Sequence, residues 1–149
     1  MVHKILIASD HGGVKLKSGL VKYLKTLRVP FLDLGTNSED SVDYPDYAIK
    51  LAKRVGKAKG EKGILICKSG IGMAVSANKV KGVRAALCLN RKMAELSRQH
   101  TNSNVLVLGA QFVPLKRAKE IVQTWLKTPF EGGRHERRIK KITAYEGKR

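Results

Sequence analysis

The sequence predicts an α/β domain in which a five-stranded parallel sheet lies between two layers of helices, a three-layer α/β/α sandwich. Three observations carry this. Apolar runs alternate with helix-length amphipathic segments from one end of the chain to the other, the rhythm of strand–helix–strand units whose strands run parallel. The runs are continuous instead of alternating, as strands covered by helices on both faces must be. No repeat, low-complexity tract or linker divides the 149 residues, so 1–149 reads as one domain with a core of its own.

The first run is "KILIAS" (4–9). A helix over 13–28 follows, with Leu16, Leu20, Leu24 and Leu27 on one stripe and Lys15, Lys22 and Lys25 off it. "PFLDLG" (30–35) is the second strand, and a helical pattern covers 45–59. "GILIC" (63–67) is the third, leading through a glycine-rich turn into a helix near 71–80. "VRAALCL" (83–89), a helix over 91–99 and "NVLVLG" (104–109) complete the sheet. The last strong helix, 114–127, opens at Pro114, lines one face with Leu115, Ala118, Ile121, Val122 and Trp125, and stops before Pro129. Beyond it, "FEGGRHERRIKKITAYEGKR" (130–149) reads as a double glycine and a short basic helix with little core of its own to join. Such a tail is expected either loose or docked on another subunit.

Thirty Lys and Arg against twelve Asp and Glu leave a net charge of +18. A field of that size attracts anions: phosphorylated metabolites, anionic lipid or nucleic acid. Most of the lysines fall on solvent-facing helix positions, which accounts for much of the charge as a solvated coat. Only eight aromatic residues and no nucleic-acid-binding module are present, so specific nucleic-acid binding is not expected. No apolar run approaches the roughly 20 residues of a membrane span. The start, "MVHKILIASD", is too short in its apolar part for a secretory signal, so the cytoplasm is the expected compartment.

Polar groups gather where the strands end, which is where ligands bind in an open parallel sheet. "SDHGG" follows the first strand, "GTNSEDSVDYPDY" the second and "CKSGIG" the third, while Gln111 lies just past the fifth. Gly70 and Gly72 match the start of a dinucleotide fingerprint, but Val75 fills the third glycine's place and the motif follows the wrong strand. No dinucleotide or other cofactor is expected. What survives is a glycine turn whose free amides favour a phosphate or a developing oxyanion. Cys67 stands just before it, beside Lys68, where the sulfur anion is favoured and can serve as nucleophile or as proton-abstracting base. Cys88 reads as a small buried apolar residue. His3, His11, His100 and His135 show no close metal spacing, so no metal site is expected. Taken singly, each histidine reads as a surface or structurally satisfied residue.

Taken together, "ASDHGG", "DLGTNSEDSVDYPDYA", "GILICKSGIGMAVSANKVKGVRAALC", "SRQHTNSNVLVLG" and "TPFEGGRHERRIKKI" resemble the type B ribose-5-phosphate isomerase family, with its allose- and galactose-phosphate relatives. The resemblance spans almost the whole chain, in order. It implies a Rossmann-like fold and a metal-independent aldose–ketose isomerase of a small sugar phosphate, foremost ribose 5-phosphate to ribulose 5-phosphate. It also implies a homodimer, or a dimer of dimers, in which residues 130–149 reach across the interface to complete the neighbour's site.

Carried over by position, the resemblance makes Cys67 the base and Ser69 the hydroxyl that moves protons on the sugar oxygens. Backbone amides around Gly70, Gly72 and Met73 hold the enediolate. His100, helped by Asp10, opens the ring. His11, Arg134 and Arg138 grip phosphate, and Tyr44 lines the pocket. Three motifs depart from the family's usual residues: Lys68 and Ser69 stand where Gly-Thr is common, Thr101 where Asn follows the ring-opening histidine, and Gln111 where an arginine meets phosphate. Two expectations follow: either Lys68 restores the cation missing at Gln111, or the substrate is another sugar phosphate or an unphosphorylated sugar.

Overall fold

The computed structural model describes residues 4–148; His3 lies outside them. Five strands, β1 (Ile5–Ser9), β2 (Phe31–Asp33), β3 (Lys62–Cys67), β4 (Ala85–Leu87) and β5 (Val105–Gly109), form one parallel sheet in the order β2-β1-β3-β5-β4. Six helices connect and flank them: α1 (Val14–Thr26), α2 (Tyr44–Lys57), α3 (Ile71–Ala77), α4 (Arg91–Thr101), α5 (Leu115–Lys127) and α6 (Arg134–Glu146).

The continuous apolar runs become strands because alternate side chains enter two separate layers. Ile5, Ile7, Ile64, Ile66, Leu106 and Leu108 meet α1 and α5 on one face, around Trp125. Leu6, Ala8, Leu65, Cys67, Val105 and Val107 meet α2 and α3 on the other. Cys67 therefore points to the α2/α3 side, where Met73 is fully buried.

The edge strands are shorter than the runs that predict them, three residues each. Each has one neighbour only, so its ends leave the ladder for local partners. Past β2, Leu34 still donates to the Ile7 carbonyl at 2.8 Å, and on β4 the Ala85 amide and carbonyl are clamped by the Asn78 side chain at 2.8 and 3.0 Å. That clamp also explains why α3 stops at Ala77 and not near residue 80. Conversely, α4 runs two residues further than its pattern predicts. Asn102, in the left-handed region at φ 48°, ends it, leaving His100 in its final turn.

The helical stripe of α1 hides one lysine. Lys17 is 2% exposed, and its ammonium donates to Asp33 Oδ1 at 2.6 Å and to Asn37 Oδ1 at 2.8 Å. It ties the first helix to the end of β2. Lys17→Met keeps the volume and strips the charge from beside Asp33. We expect a loss of about 2 kcal/mol in urea unfolding, below the cost for a fully buried pair because Asp33 keeps some contact with water.

The C-terminal segment corrects one expectation: it has a surface of its own chain to join. His135 is buried and stacks on His100, with ring centroids 4.2 Å apart and planes 8° from parallel. At the far end of α6, Glu146 Oε2 accepts from the Gly82 amide at 3.0 Å.

Candidate functional site

The sheet changes winding direction at β1 and β3: β2 lies on one side of β1, and β3 on the other. Their carboxyl ends splay apart, opening the crevice where such sheets bind ligands. Asp10 leaves β1 there, and Cys67 ends β3.

Asp10, 7% exposed, turns back to accept the Gly12 amide at 2.9 Å, and so caps the single 3-10 turn His11–Gly13. His11 Nδ1 accepts the Val42 amide at 3.1 Å. An accepting Nδ1 leaves the proton of the neutral ring on Nε2, free to donate to a ligand. Lys68 lies beside this turn: a Cβ on Gly12 would come 3.2 Å from Lys68 Cβ.

After Cys67 the backbone folds over the sulfur. Gly70 sits at φ 81°, in the left-handed region that favours glycine, and donates its amide to Cys67 Sγ at 3.2 Å. Ser69 Oγ accepts the Ile71 amide at 3.2 Å, so its own hydroxyl proton is left to donate elsewhere. The next two amides, of Gly72 and Met73, have no carbonyl or side-chain acceptor among the described residues. Two N–H donors thus stand ready beyond a sulfur that already accepts a third, an arrangement suited to an oxyanion. Tyr44 packs its ring on Gly72, where a side chain would come within 2.5 Å of Cε1. The Gln111 backbone N–H, past β5, donates to the Lys68 carbonyl at 2.8 Å, so the backbones of these two departures are direct neighbours.

Asp10, His11, Tyr44, Cys67, Lys68, Ser69, Gly70, Gly72, Met73 and Gln111 are thus gathered at one end of the sheet. His100, Thr101, Arg134 and Arg138 are not. α4 begins after the carboxyl end of β4 and runs back to the amino end of β5; its 11 residues cover about 16 Å at 1.5 Å each. Arg84, just before β4, holds the Thr101 carbonyl at 2.8 Å, which ties that residue to the amino edge. Within one chain, His100 and Asp10 stand at opposite ends of the sheet.

At the amino end, His100 Nε2 and His135 Nε2 lie 3.5 and 3.8 Å from Glu131 Oε1. The three potential ligand atoms are within 4.8 Å of one another. The rings, however, are stacked with planes 8° from parallel; lone pairs lie in the ring planes, so the two nitrogens cannot both aim at one ion, and the cluster does not suit a metal. Nothing in the sequence marks Glu131 and His135 as partners of His100, since they lie 31 and 35 residues away.

Burial, with the neighbouring His100 and Arg134, holds the His135 pKa below its ordinary value against Glu131, which raises it; Arg138 adds to the lowering. The folded chain therefore binds fewer protons here than the unfolded chain. The contribution to docking is complete above the unfolded value of about 6.5 and is lost as pH falls below it. Amide protection factors along α6, corrected for the base-catalysed intrinsic rate, should be lower at pH 5.5 than at pH 7.5; equal protection would contradict this. By contrast, Cys88 is 1% exposed with its thiol pushed by burial to about 11, the inert structural role its sequence context predicts.

Residues 5–142 match the family model described as ribose/galactose isomerase. The chain is 44% identical over 146 residues to ribose-5-phosphate isomerase B of Escherichia coli, covering 98% of each. Among solved structures, ribose-5-phosphate isomerase B of Mycoplasma genitalium with bound ribulose-5-phosphate superposes with a TM-score of 0.96 at 48% identity, over 100% of this chain and 99% of that one. The Clostridium thermocellum enzyme of the same name gives 0.93 at 47%, over 97% and 98%. Among the described residues no helix is long and apolar enough to cross a membrane.

Proposed function

The chain belongs to the ribose/galactose isomerase family, and from that premise we propose that it interconverts ribose 5-phosphate and ribulose 5-phosphate in the cytoplasm, in a site shared by two copies of the chain. It is an aldose–ketose isomerase. The observation that carries the mechanism is Cys67 Sγ, hydrogen-bonded by the Gly70 amide with the unpaired Gly72 and Met73 amides beyond it.

His100, assisted by Asp10, opens the furanose ring by moving a proton between the hydroxyl and the ring oxygen. The Cys67 sulfur anion removes the proton on C2. The electron pair passes to the C1 carbonyl oxygen, and the Gly72 and Met73 amides stabilise the resulting enediolate. Ser69 transfers a proton from O2 to O1, and the Cys67 thiol returns its proton to C1, leaving the ketone at C2. His11 Nε2, Arg134 and Arg138 neutralise the phosphate, while Tyr44 and Thr101 line the pocket. Lys68 supplies a cation beside Gln111, as a point charge without arginine's planar fork.

The need for a second copy follows from direction: α4 carries His100 away from Cys67, so a complete set of groups arises only when the amino edge of one chain meets the carboxyl edge of another. A two-fold pair makes two such sites. Ile71 and Val75 on α3, each 57% exposed, with exposed Leu89 between β4 and α4 and Met93 on α4, offer apolar surface for that contact.

The test is turnover of ribose 5-phosphate, allose 6-phosphate and free ribose, followed by NMR in D2O. The expected result is fastest conversion of ribose 5-phosphate, with solvent deuterium entering the product. Conversion of a hexose phosphate alone would move the assignment to the altered-substrate reading, which the adjacent Lys68 and Gln111 favour. No conversion of any of them would overturn the isomerase reaction proposed here.

A further inference from the structure

A second basic site lies at the amino end of the sheet, away from Cys67. A cavity of about 440 Å³ opens between the loop entering β3, the segment entering β4 and the end of α4. Lys57, Lys59, Lys62, Arg84 and Arg98 all line it, from three separate stretches of chain. Among the described residues Glu61 is the only acidic side chain in the lining, and its carboxylate lies 3.7 Å from Arg54, outside the cavity.

The inner three cations have neutral partners. Arg98, 5% exposed, donates to the carbonyls of Thr128 and Ser103 and to the Asn102 amide oxygen. Arg84 donates to the carbonyls of Thr101 and Asn102; Glu146 is near it, but that carboxylate is bonded to Gly82. The Lys62 ammonium lies 5.8 Å from the centre of the Trp125 ring. None of the three forms a salt bridge among the described residues. Burial lowers the pKa of all three, and each of Lys62 and Arg98 is lowered further by the next cation in the row. Like charges gathered in a half-dry hollow repel one another, and an anion seated among them relieves both the repulsion and the lost hydration.

We propose that this cavity binds a small polyphosphate anion, of the pyrophosphate or nucleoside diphosphate class. A single carboxylate or chloride would leave most of the five cations unmatched. Two linked phosphates carry the charge to meet them, and the volume falls within the roughly 300–1,000 Å³ of small-molecule sites. A concave hollow entered from three chain segments suits a compact ligand better than the continuous groove that a nucleic-acid strand follows. Part of the +18 charge thereby gains a purpose separate from the sugar site.

Calorimetric titration of the full chain with inorganic pyrophosphate, and separately with ADP, at near-physiological salt tests this. With the catalytic centre saturated by ribulose 5-phosphate, both are expected to bind at one saturable site per chain; equal affinities assign recognition to the phosphates, and tighter ADP to a nucleoside diphosphate. Lys59→Ala with Lys62→Ala should weaken binding at least about tenfold while isomerase turnover stays unchanged, and Lys59→Arg with Lys62→Arg should retain it. Arg134→Ala with Arg138→Ala, which touches only the sugar-phosphate groups, should leave pyrophosphate binding intact. Loss of binding in that variant, no saturable binding, or unchanged affinity after removing both lysines would overturn the proposal. So would a single-stranded RNA that binds more tightly and displaces pyrophosphate.

Discussion

Cys67→Ala is expected to lower kcat for ribose 5-phosphate by at least about a thousandfold, the upper part of what a positioned base contributes. The remaining amides, phosphate grip and ring opener are untouched, so affinity for ribulose 5-phosphate should change little. Exchange of the transferred hydrogen with D2O should vanish together with turnover, because both need the same atom to hold the proton. Alanine also leaves the Gly70 amide without its acceptor, which could loosen the turn. Cys67→Ser is the control: its oxygen can still accept that amide but is a far weaker base at neutral pH. Equal inactivity of both variants, with ligand affinity kept, is the expected pattern. Substantial turnover in either would assign the proton to another group.

The second large effect is a recovery. Cys67→Ala alone, and His100→Ala combined with Arg138→Ala, should each be nearly inactive. Unfolded together and refolded, they form mixed pairs in which one centre receives an intact Cys67 from one chain and intact His100 and Arg138 from the other. Half the pairs are mixed and each holds one complete centre, so about a quarter of normal activity should return. Mixed pairs isolated by two different affinity tags, yet still inactive, would refute a site divided between chains.

Much of the architecture could be read from residue pattern because β1, β3 and β5 are covered on both faces. Apart from Ser9 and Lys62 at strand ends, they carry no polar side chain, and the runs announce themselves. β2 and β4 are shorter than their apolar runs for the converse reason: with one neighbour, their flanks bond to loops and to Asn78, which pattern does not register. Lys17 was lost among solvent-facing lysines, since nothing local reveals an Asp33 sixteen residues away. The carboxyl-end chemistry was legible too, because Asp10, Cys67 and Gln111 each lie within two residues of a strand end. The separation of His100 from Cys67 depends on helix direction. Its stacking on His135 depends on where the C-terminal segment lands, and no short-range periodicity encodes that.

The reversed course of α4 has one more consequence. If catalysis exists only where two chains meet, specific activity is governed by the dissociation constant of the pair and ceases to be a fixed property of the fold. Below that concentration each chain would keep its sulfur and its imidazole and turn nothing over.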